Sequence, residues 1–365
     1  MGYLKIIGII LVVVKLVLLA VRWGKQWKIK QAGEEIVKNG GISELVELKV
    51  NDTKQFLLIE GKDKKKPIIL FLHGGPGQPF PFGVSARTAF PEITDHFVAV
   101  YYDQRGSGKS YSKDIPMKTM KINQFVEDTD VIVEYLMKRF NTDKVMIAGT
   151  SWGTIVGTKY SVQHPEKVSA YIGISQFVNM KENQQRALDW LLDIGGKNKD
   201  KSMLEDLDSF GKPLFTGKIE ERFMKFVSKY GGDNYSDENV KKADIFGMLK
   251  PSLISPDYLL GDIFKATVSG ASFSLLKAKG LLAEMNEVNF ITEVDELKMP
   301  VYIFQGSHDK LTNYELAREY TAKLKAPAGK EFITLEQSAH YPNEEDFKVV
   351  FAKLQEIAAA TAVAQ

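Results

Sequence analysis

The run Gly149-Thr150-Ser151-Trp152-Gly153 fits G-x-S-x-G and places a serine where it can act as a nucleophile. The apolar, strand-like stretch Val145-Met146-Ile147-Ala148 precedes it, and helix-compatible sequence from Trp152 to about His164 follows. A strand feeding a helix through one sharp turn leaves no room for side chains beside the nucleophile, hence a glycine at either end. The turn also lifts the hydroxyl clear of the sheet, next to the positive end of a helix.

A serine hydroxyl is a poor nucleophile until a base takes its proton, and the base needs an acid to orient it. The chain has 5 histidines. His73 belongs to a Gly-rich turn, His96 precedes a strand, and His164 stands at a helix end before Pro165. His340 lies in Gln337-Ser338-Ala339-His340-Tyr341, after the last expected strand and before helix-like sequence, and is the expected base. The expected acid is Asp309, in Gly306-Ser307-His308-Asp309-Lys310 directly after the strand Val301–Gln305. His308, its neighbour, is the runner-up base. The order Ser151, Asp309, His340, each after an expected strand, is the order α/β-hydrolases use.

The oxyanion formed by attack on a carbonyl needs two preorganised N–H donors. One is expected from the backbone of Trp152, the residue after the nucleophile. The other is expected from Phe71-Leu72-His73-Gly74-Gly75-Pro76-Gly77, at Gly75 with Gly74 second, because glycines let backbone approach a substrate closely. Asp103-Gln104-Arg105-Gly106-Ser107-Gly108-Lys109-Ser110 resembles a phosphate loop, but G-x-x-x-x-G-K-[ST] needs glycine where Asp103 stands. Nucleotide binding is therefore rejected, and Asp103 and Arg105 are expected to tie this loop beneath the site.

The elements that must position these residues follow from periodicity. Leu45–Val50 and Gln55–Glu60 flank Asn51-Asp52-Thr53 as a hairpin. Short apolar runs at Ile68–Leu72, Phe97–Tyr102, Val145–Ala148, Val168–Ile174, Val301–Gln305 and Glu331–Leu335 read as strands. Asn123–Phe140, Trp152–His164, Asn313–Lys325 and Asn343–Ile357 have helical spacing. Near-continuous apolar strands alternating with helices imply a parallel sheet covered on both faces. The connection from about Gln176 to about Lys298 is too long for a loop. It carries its own aromatics (Trp190, Phe210, Phe223, Phe226, Tyr230, Phe264, Phe273) and reads as an inserted helical cap. The expected organisation is a core of residues 45–175 and 298–357, a cap of 176–297 and an N-terminal segment of 1–30.

That segment is almost wholly apolar from Leu4 to Val21, broken by Gly8 and Lys15, and then turns basic at Arg22, Lys25, Lys28 and Lys30. Trp23 and Trp27 sit where an aromatic belt would lie. A membrane anchor is the favoured reading, and the positive-inside rule then puts the catalytic domain in the cytoplasm. A cleaved signal peptide would carry its charge before the apolar core, and Leu18-Leu19-Ala20 is a poor cleavage site. A buried helix of the soluble body is the third reading. The Ala-rich end at Ala358–Ala364 is expected to fray. With 44% apolar and 26% charged residues, the composition is globular, and a net charge of +2 gives no reason to expect a nucleic-acid partner. The absence of cysteine excludes disulfides, zinc–thiolate sites and a cysteine nucleophile.

HGGPG at 73–77, DQRGSGKS at 103–110 and GTSWG at 149–153, with His164-Pro165-Glu166-Lys167-Val168 and the GSHD and SAH loops, resemble the proline iminopeptidase branch of the α/β-hydrolases. The resemblance covers roughly 45–175 and 298–357. It implies a serine hydrolase without a cofactor, working through an acyl-enzyme on a small peptide. It further implies cap carboxylates that hold the substrate's free amino group. Here the sequence departs from the family: after Ile174 it reads Ser175-Gln176-Phe177-Val178-Asn179-Met180, and Glu182, Glu205, Glu284 and Glu287 are candidates by location only. Two alternatives stay open. A carboxylic-ester or lactone hydrolase would use the same triad, and a non-catalytic binding protein on this fold would be expected to lack one of its members.

Overall fold

The computed structural model describes residues 2–209 and 218–363. Helix α1 (Gly2–Lys38) leads into β1 (Ile42–Val50) and β2 (Thr53–Gly61). Then follow β3 (Ile68–Leu72), a short α2 (Pro91–Thr94), β4 (Val98–Asp103), α3 (Ile122–Phe140), β5 (Val145–Thr150), α4 (Trp152–Gln163) and β6 (Val168–Ile174). Between β6 and β7 (Val301–Gly306) lie α5 (Met180–Asn198), α6 (Lys201–Ser209), α7 (Lys218–Lys229), α8 (Ile245–Ile254), α9 (Leu260–Phe264), α10 (Lys279–Glu287) and α11 (Phe290–Glu293). Helix α12 (Tyr314–Lys323), β8 (Lys330–Leu335) and α13 (Glu344–Val363) complete the order.

Among the described residues the strands form one 8-stranded sheet in the order β1-β2-β4-β3-β5-β6-β7-β8. β1 and β2 pair as an antiparallel hairpin with Val50 opposite Thr53, so Asn51 and Asp52 make the turn. Asn51 takes φ 50°, a left-handed conformation that asparagine tolerates. β2 runs antiparallel to β4, and β4 through β8 and β3 are mutually parallel.

Alternation along the strands divides the core between the two faces of the sheet. Leu70, Leu72, Val100, Tyr102, Ile147 and Ile303 pack with Phe125 and Val133 of α3, Ile155 of α4 and Leu316 of α12. Their neighbours Ile69, Phe71, Ala99, Tyr101, Met146 and Phe304 pack with Ile93 of α2 and Val350 and Leu354 of α13. Helix α13 continues through the Ala-rich stretch to Val363, and Ala358 is buried in this second layer. Alanine is the strongest helix former, which suits this continuation, and Ala364, the end of the stretch expected to fray, lies outside the described residues.

The helices between β6 and β7 have a core of their own, in which Leu188 and Leu191 of α5 and Met203 and Leu207 of α6 meet Phe223 and Val227 of α7. Trp190, Phe226 and Tyr230 pack around it, whereas Phe210, another expected aromatic of this stretch, lies outside the described residues.

From Tyr3 to Val21 the side chains of α1 are exposed on every side. The helix is long and apolar enough to cross a membrane. It runs on without a break to Lys38, and from Arg22 onward its Arg22–Gln26–Ile29–Gly33–Ile36 stripe turns inward. There Gly33 lies against Ser43 of β1, and Arg22 donates to the carbonyls of Leu253 and Tyr258 at 2.9 and 2.6 Å.

Candidate active site

All strands from β3 to β8 are parallel, so their C-terminal ends open onto one edge of the sheet, where ligands of open α/β sheets bind. Ser151 follows β5 with φ 51° and ψ −117°, a strained conformation for a residue with a side chain. The flanking glycines make it possible. A Cβ on Gly149 would strike the backbone of Gly153, and a Cβ on Gly153 would collide with the carbonyl oxygen of Leu72.

His340 Nε2 stands 3.0 Å from Ser151 Oγ, and its Nδ1 stands 3.0 Å from Asp309 Oδ2. Asp309 follows β7 and is fully buried. Its Oδ1 accepts the backbone N–H of Leu311 at 2.8 Å and of Thr312 at 2.9 Å. Its Oδ2 also accepts the Thr312 hydroxyl at 2.7 Å and the Gln305 amide at 2.9 Å. Burial pushes the carboxyl up, but the charge and hydrogen bond of His340 and the bonds from Thr312 outweigh it, so the carboxyl lies below its ordinary range. The group facing His340 is therefore a carboxylate at neutral pH. His308 is turned elsewhere and stacks on Tyr235 at 3.5 Å between ring centroids. Ser151, Asp309 and His340 are thus brought together, and His308 is not.

The turn after β3 lies against Ser151, since a Cβ on Gly74 would sit 3.5 Å from Ser151 Cβ. Gly75 adopts φ 115°, which glycine allows freely. His73 is buried, and burial lowers its pKa to about 4, so the ring is neutral. Its Nδ1–H donates to the Gly74 carbonyl at 2.7 Å, and Nε2 accepts the backbone N–H of Gln104 at 3.1 Å. Because a peptide unit is planar, holding the Gly74 carbonyl also orients the Gly75 N–H. The Trp152 N–H is the first of α4, whose leading amides have no acceptor within the helix.

The 103–110 loop supports this layer from below. Arg105 is buried and forks onto Asp128, Nε to Oδ2 at 2.7 Å and Nη2 to Oδ1 at 2.9 Å, while Nη1 reaches Asp52 at 2.7 Å. Asp103 accepts the N–H of Val84 and Lys109 and the hydroxyl of Tyr258. Burial still dominates and pushes its pKa up to about 6. Other supports have a role that the sequence did not assign: Gln305 and Thr312 around Asp309, Gln104 within the 103–110 motif, and Ser175, whose hydroxyl donates to the His340 carbonyl at 2.8 Å.

A cavity of about 530 Å³ opens over Ser151, His340, Gly74 and Gly75. Phe80 and Phe82 contribute from the β3 side, and Met224, Met248 and Leu275 from the helices between β6 and β7. No carboxylate lines it among the described side chains. Of the four candidate glutamates, Glu182 pairs with Arg186 and Glu287 with Lys181. Glu284 accepts the Ile122 N–H at 2.7 Å, and Glu205 is exposed. Among the described residues, no group of histidine and carboxylate side chains is disposed to hold a metal ion.

The family model described as the alpha/beta hydrolase fold matches residues 67–347. The chain is 33% identical over 313 residues to "Probable aminopeptidase YbaC" of Bacillus subtilis, covering 85% of this chain and 95% of that protein. It is 26% identical over 284 residues to a proline iminopeptidase of Heyndrickxia coagulans, covering 76% and 85% of the two chains. Among solved structures, the proline iminopeptidase of Mycobacterium smegmatis superposes with a TM-score of 0.58 at 13% identity, covering 88% of this chain and 99% of that one, a likeness of fold.

Proposed function

The chain belongs to the alpha/beta hydrolase family, in its proline iminopeptidase-like branch, and on that premise we propose that it is a serine hydrolase working through an acyl-enzyme on Ser151. The observation that carries this is the continuous relay from Ser151 Oγ through the His340 ring to the Asp309 carboxylate. His340 Nε2 takes the hydroxyl proton as Oγ attacks the substrate carbonyl carbon. The Gly75 and Trp152 N–H groups receive the charge that develops on the carbonyl oxygen. As the tetrahedral species collapses, His340 returns the proton to the departing amine or alcohol. It then deprotonates the water that releases the acyl group.

The substrate reading is an aminopeptidase that releases a small N-terminal residue such as proline. Its support is the family branch and the near full-length relative whose name is that of an aminopeptidase. A cavity walled by Phe80, Phe82 and Met248 suits a compact apolar residue. A second reading, hydrolysis of a carboxylic ester or lactone, is favoured by the lack of a carboxylate among the cavity's described side chains. Such a cavity offers a substrate ammonium no countercharge. Hydrolysis of prolyl-arylamide, its N-acetylated form and a short acyl ester by the full chain in detergent, with Ser151→Ala as background, separates the two. A strong preference for the free amine establishes the aminopeptidase, and cleavage of the ester alone removes it.

The apolar part of α1 is, in this reading, a single membrane anchor that leaves the bilayer at Arg22. Trp23 and Trp27 lie at the interface, and the basic flank holds the hydrolase on the cytoplasmic side. The inserted helices of 176–297 act as the cap over Ser151.

A further inference from the structure

We infer that the outer apolar face of α8 and α9 lies on the surface of the bilayer that α1 enters. This rests on the anchor reading above and goes beyond it, because an anchored enzyme can equally hang clear of the lipid. Phe246, Leu253, Leu259, Leu260 and Phe264 form the face, and Phe246, Leu259, Leu260 and Phe264 are each more than half exposed, at 65%, 71%, 59% and 58%. Scattered exposed apolar residues are ordinary, but five within about twenty positions on adjoining helices mark an interaction surface.

Its position identifies the occupant. Arg22, the first polar residue after the exposed apolar stretch of α1, donates to the Leu253 and Tyr258 carbonyls. Gln26, one turn on, donates to the Ser255 carbonyl at 2.8 Å. The segment 253–258, which joins α8 to α9, is therefore bound at the level where α1 emerges from lipid. Leu253 is itself part of the apolar face, and Leu259 and Leu260 follow directly. Exposed Lys241, Lys242 and Lys250 border α8, as expected of a surface meeting anionic headgroups. The same helix serves the active site from its other side. Met248 and Leu249 line the cavity, and Ile245 both lines it and is 37% exposed. A face seated on lipid thus puts one edge of the cavity at the membrane surface.

The chain lacks cysteine, so single cysteines can carry an environment-sensitive fluorophore in the full-length protein. Leu11→Cys, Phe246→Cys, Leu260→Cys and Lys64→Cys are reconstituted in phosphatidylcholine vesicles with a minority of phosphatidylglycerol. Lys64 is the distal control: it neighbours Val37, 15 residues beyond Arg22 and so roughly 22 Å further along α1. Lipids spin-labelled near the headgroup or deep in the acyl chain serve as quenchers. The expected result is deep quenching at Leu11, only background quenching at Lys64, and shallow quenching at Phe246 and Leu260 several-fold above that background. Quenching at Leu11 with Phe246 and Leu260 no different from Lys64 overturns the inference and leaves the anchor standing. No quenching at Leu11 removes the anchor reading and this inference with it.

Discussion

The side chain of Gln104 accepts the indole N–H of Trp152 at 3.0 Å, joining the loop after β4 to the first residue of α4. The same amide donates to the His73 carbonyl at 2.9 Å. One buried glutamine therefore sets the spacing between the two backbone segments that flank Ser151. Those segments carry the two N–H groups assigned to the oxyanion. Gln104→Ala is expected to lower kcat by about tenfold to a hundredfold with little change in KM, since the donors serve the transition state. An equal loss in binding of a ground-state analogue would speak for general loosening of the site.

Thr312 and Gln305 hold the Asp309 carboxylate without touching a substrate. Thr312→Val removes the hydroxyl bond to Oδ2 but keeps the side chain's shape and its backbone N–H. The expected effect is a fall in kcat of about tenfold at unchanged KM, with Thr312→Ser restoring most of it. A change confined to KM would remove Thr312 from the relay.

Gly153 packs so closely on the end of β3 that no side chain fits. Gly153→Ala forces the elbow away from the Leu72 carbonyl and is expected to cost about 3 kcal/mol or more, visible as a large drop in the thermal midpoint. An unshifted midpoint would mean that the elbow is looser than its contacts imply.

Arg105 and Asp128 are both fully buried, whereas the Asp52 side chain is 42% exposed. Arg105→Leu strands the Asp128 carboxylate and is expected to cost about 3–5 kcal/mol. Asp52→Asn gives up a partly solvated pair and should cost less than about 1 kcal/mol. Denaturant midpoints of the two variants check the ranking, and equal losses would contradict it.

His73 supplies a pH prediction. Its folded pKa of about 4 lies below the ordinary value of 6.5, so the unfolded chain takes up the proton first as pH falls. Stability from this group is full above 6.5 and is lost progressively down to about 4, by up to about 3 kcal/mol. Asp103, raised to about 6 from 3.8, acts with the opposite sign, because the folded state then protonates first. In the wild type the two oppose each other between about 6 and 4. His73→Gln removes one of them, so its destabilisation relative to wild type should shrink as pH falls from 6.5 to 4. A difference independent of pH would contradict the neutral, buried His73.

Much of this site was legible in the sequence because its logic is local. A glycine on each side of Ser151 between apolar strand and helix defines the elbow. Asp309 and His340 each stand a few residues beyond an apolar run, which fixes the edge of the sheet they share. The supporting roles of Gln104, Thr312, Gln305 and Ser175 were not legible. Gln104 and Ser175 bond to positions far apart along the chain, while the bonds of Gln305 and Thr312 to Asp309 run from the end of β7 into the loop after it, where no periodicity marks them. The extent of α1 was likewise hidden. Its apolar run ends at Val21, but the inward stripe from Arg22 to Ile36 becomes readable only when β1 and the 253–258 segment are seen beside it.

The central claim is that Ser151 is the nucleophile activated by His340. The most direct measurement is the reaction of the full-length chain with a fluorophosphonate, followed by mass spectrometry of the peptides. The account predicts one adduct on Ser151, none in Ser151→Ala, and labelling slowed about a thousandfold or more in His340→Ala. An adduct elsewhere, or equal labelling of the Ser151→Ala chain, would contradict it.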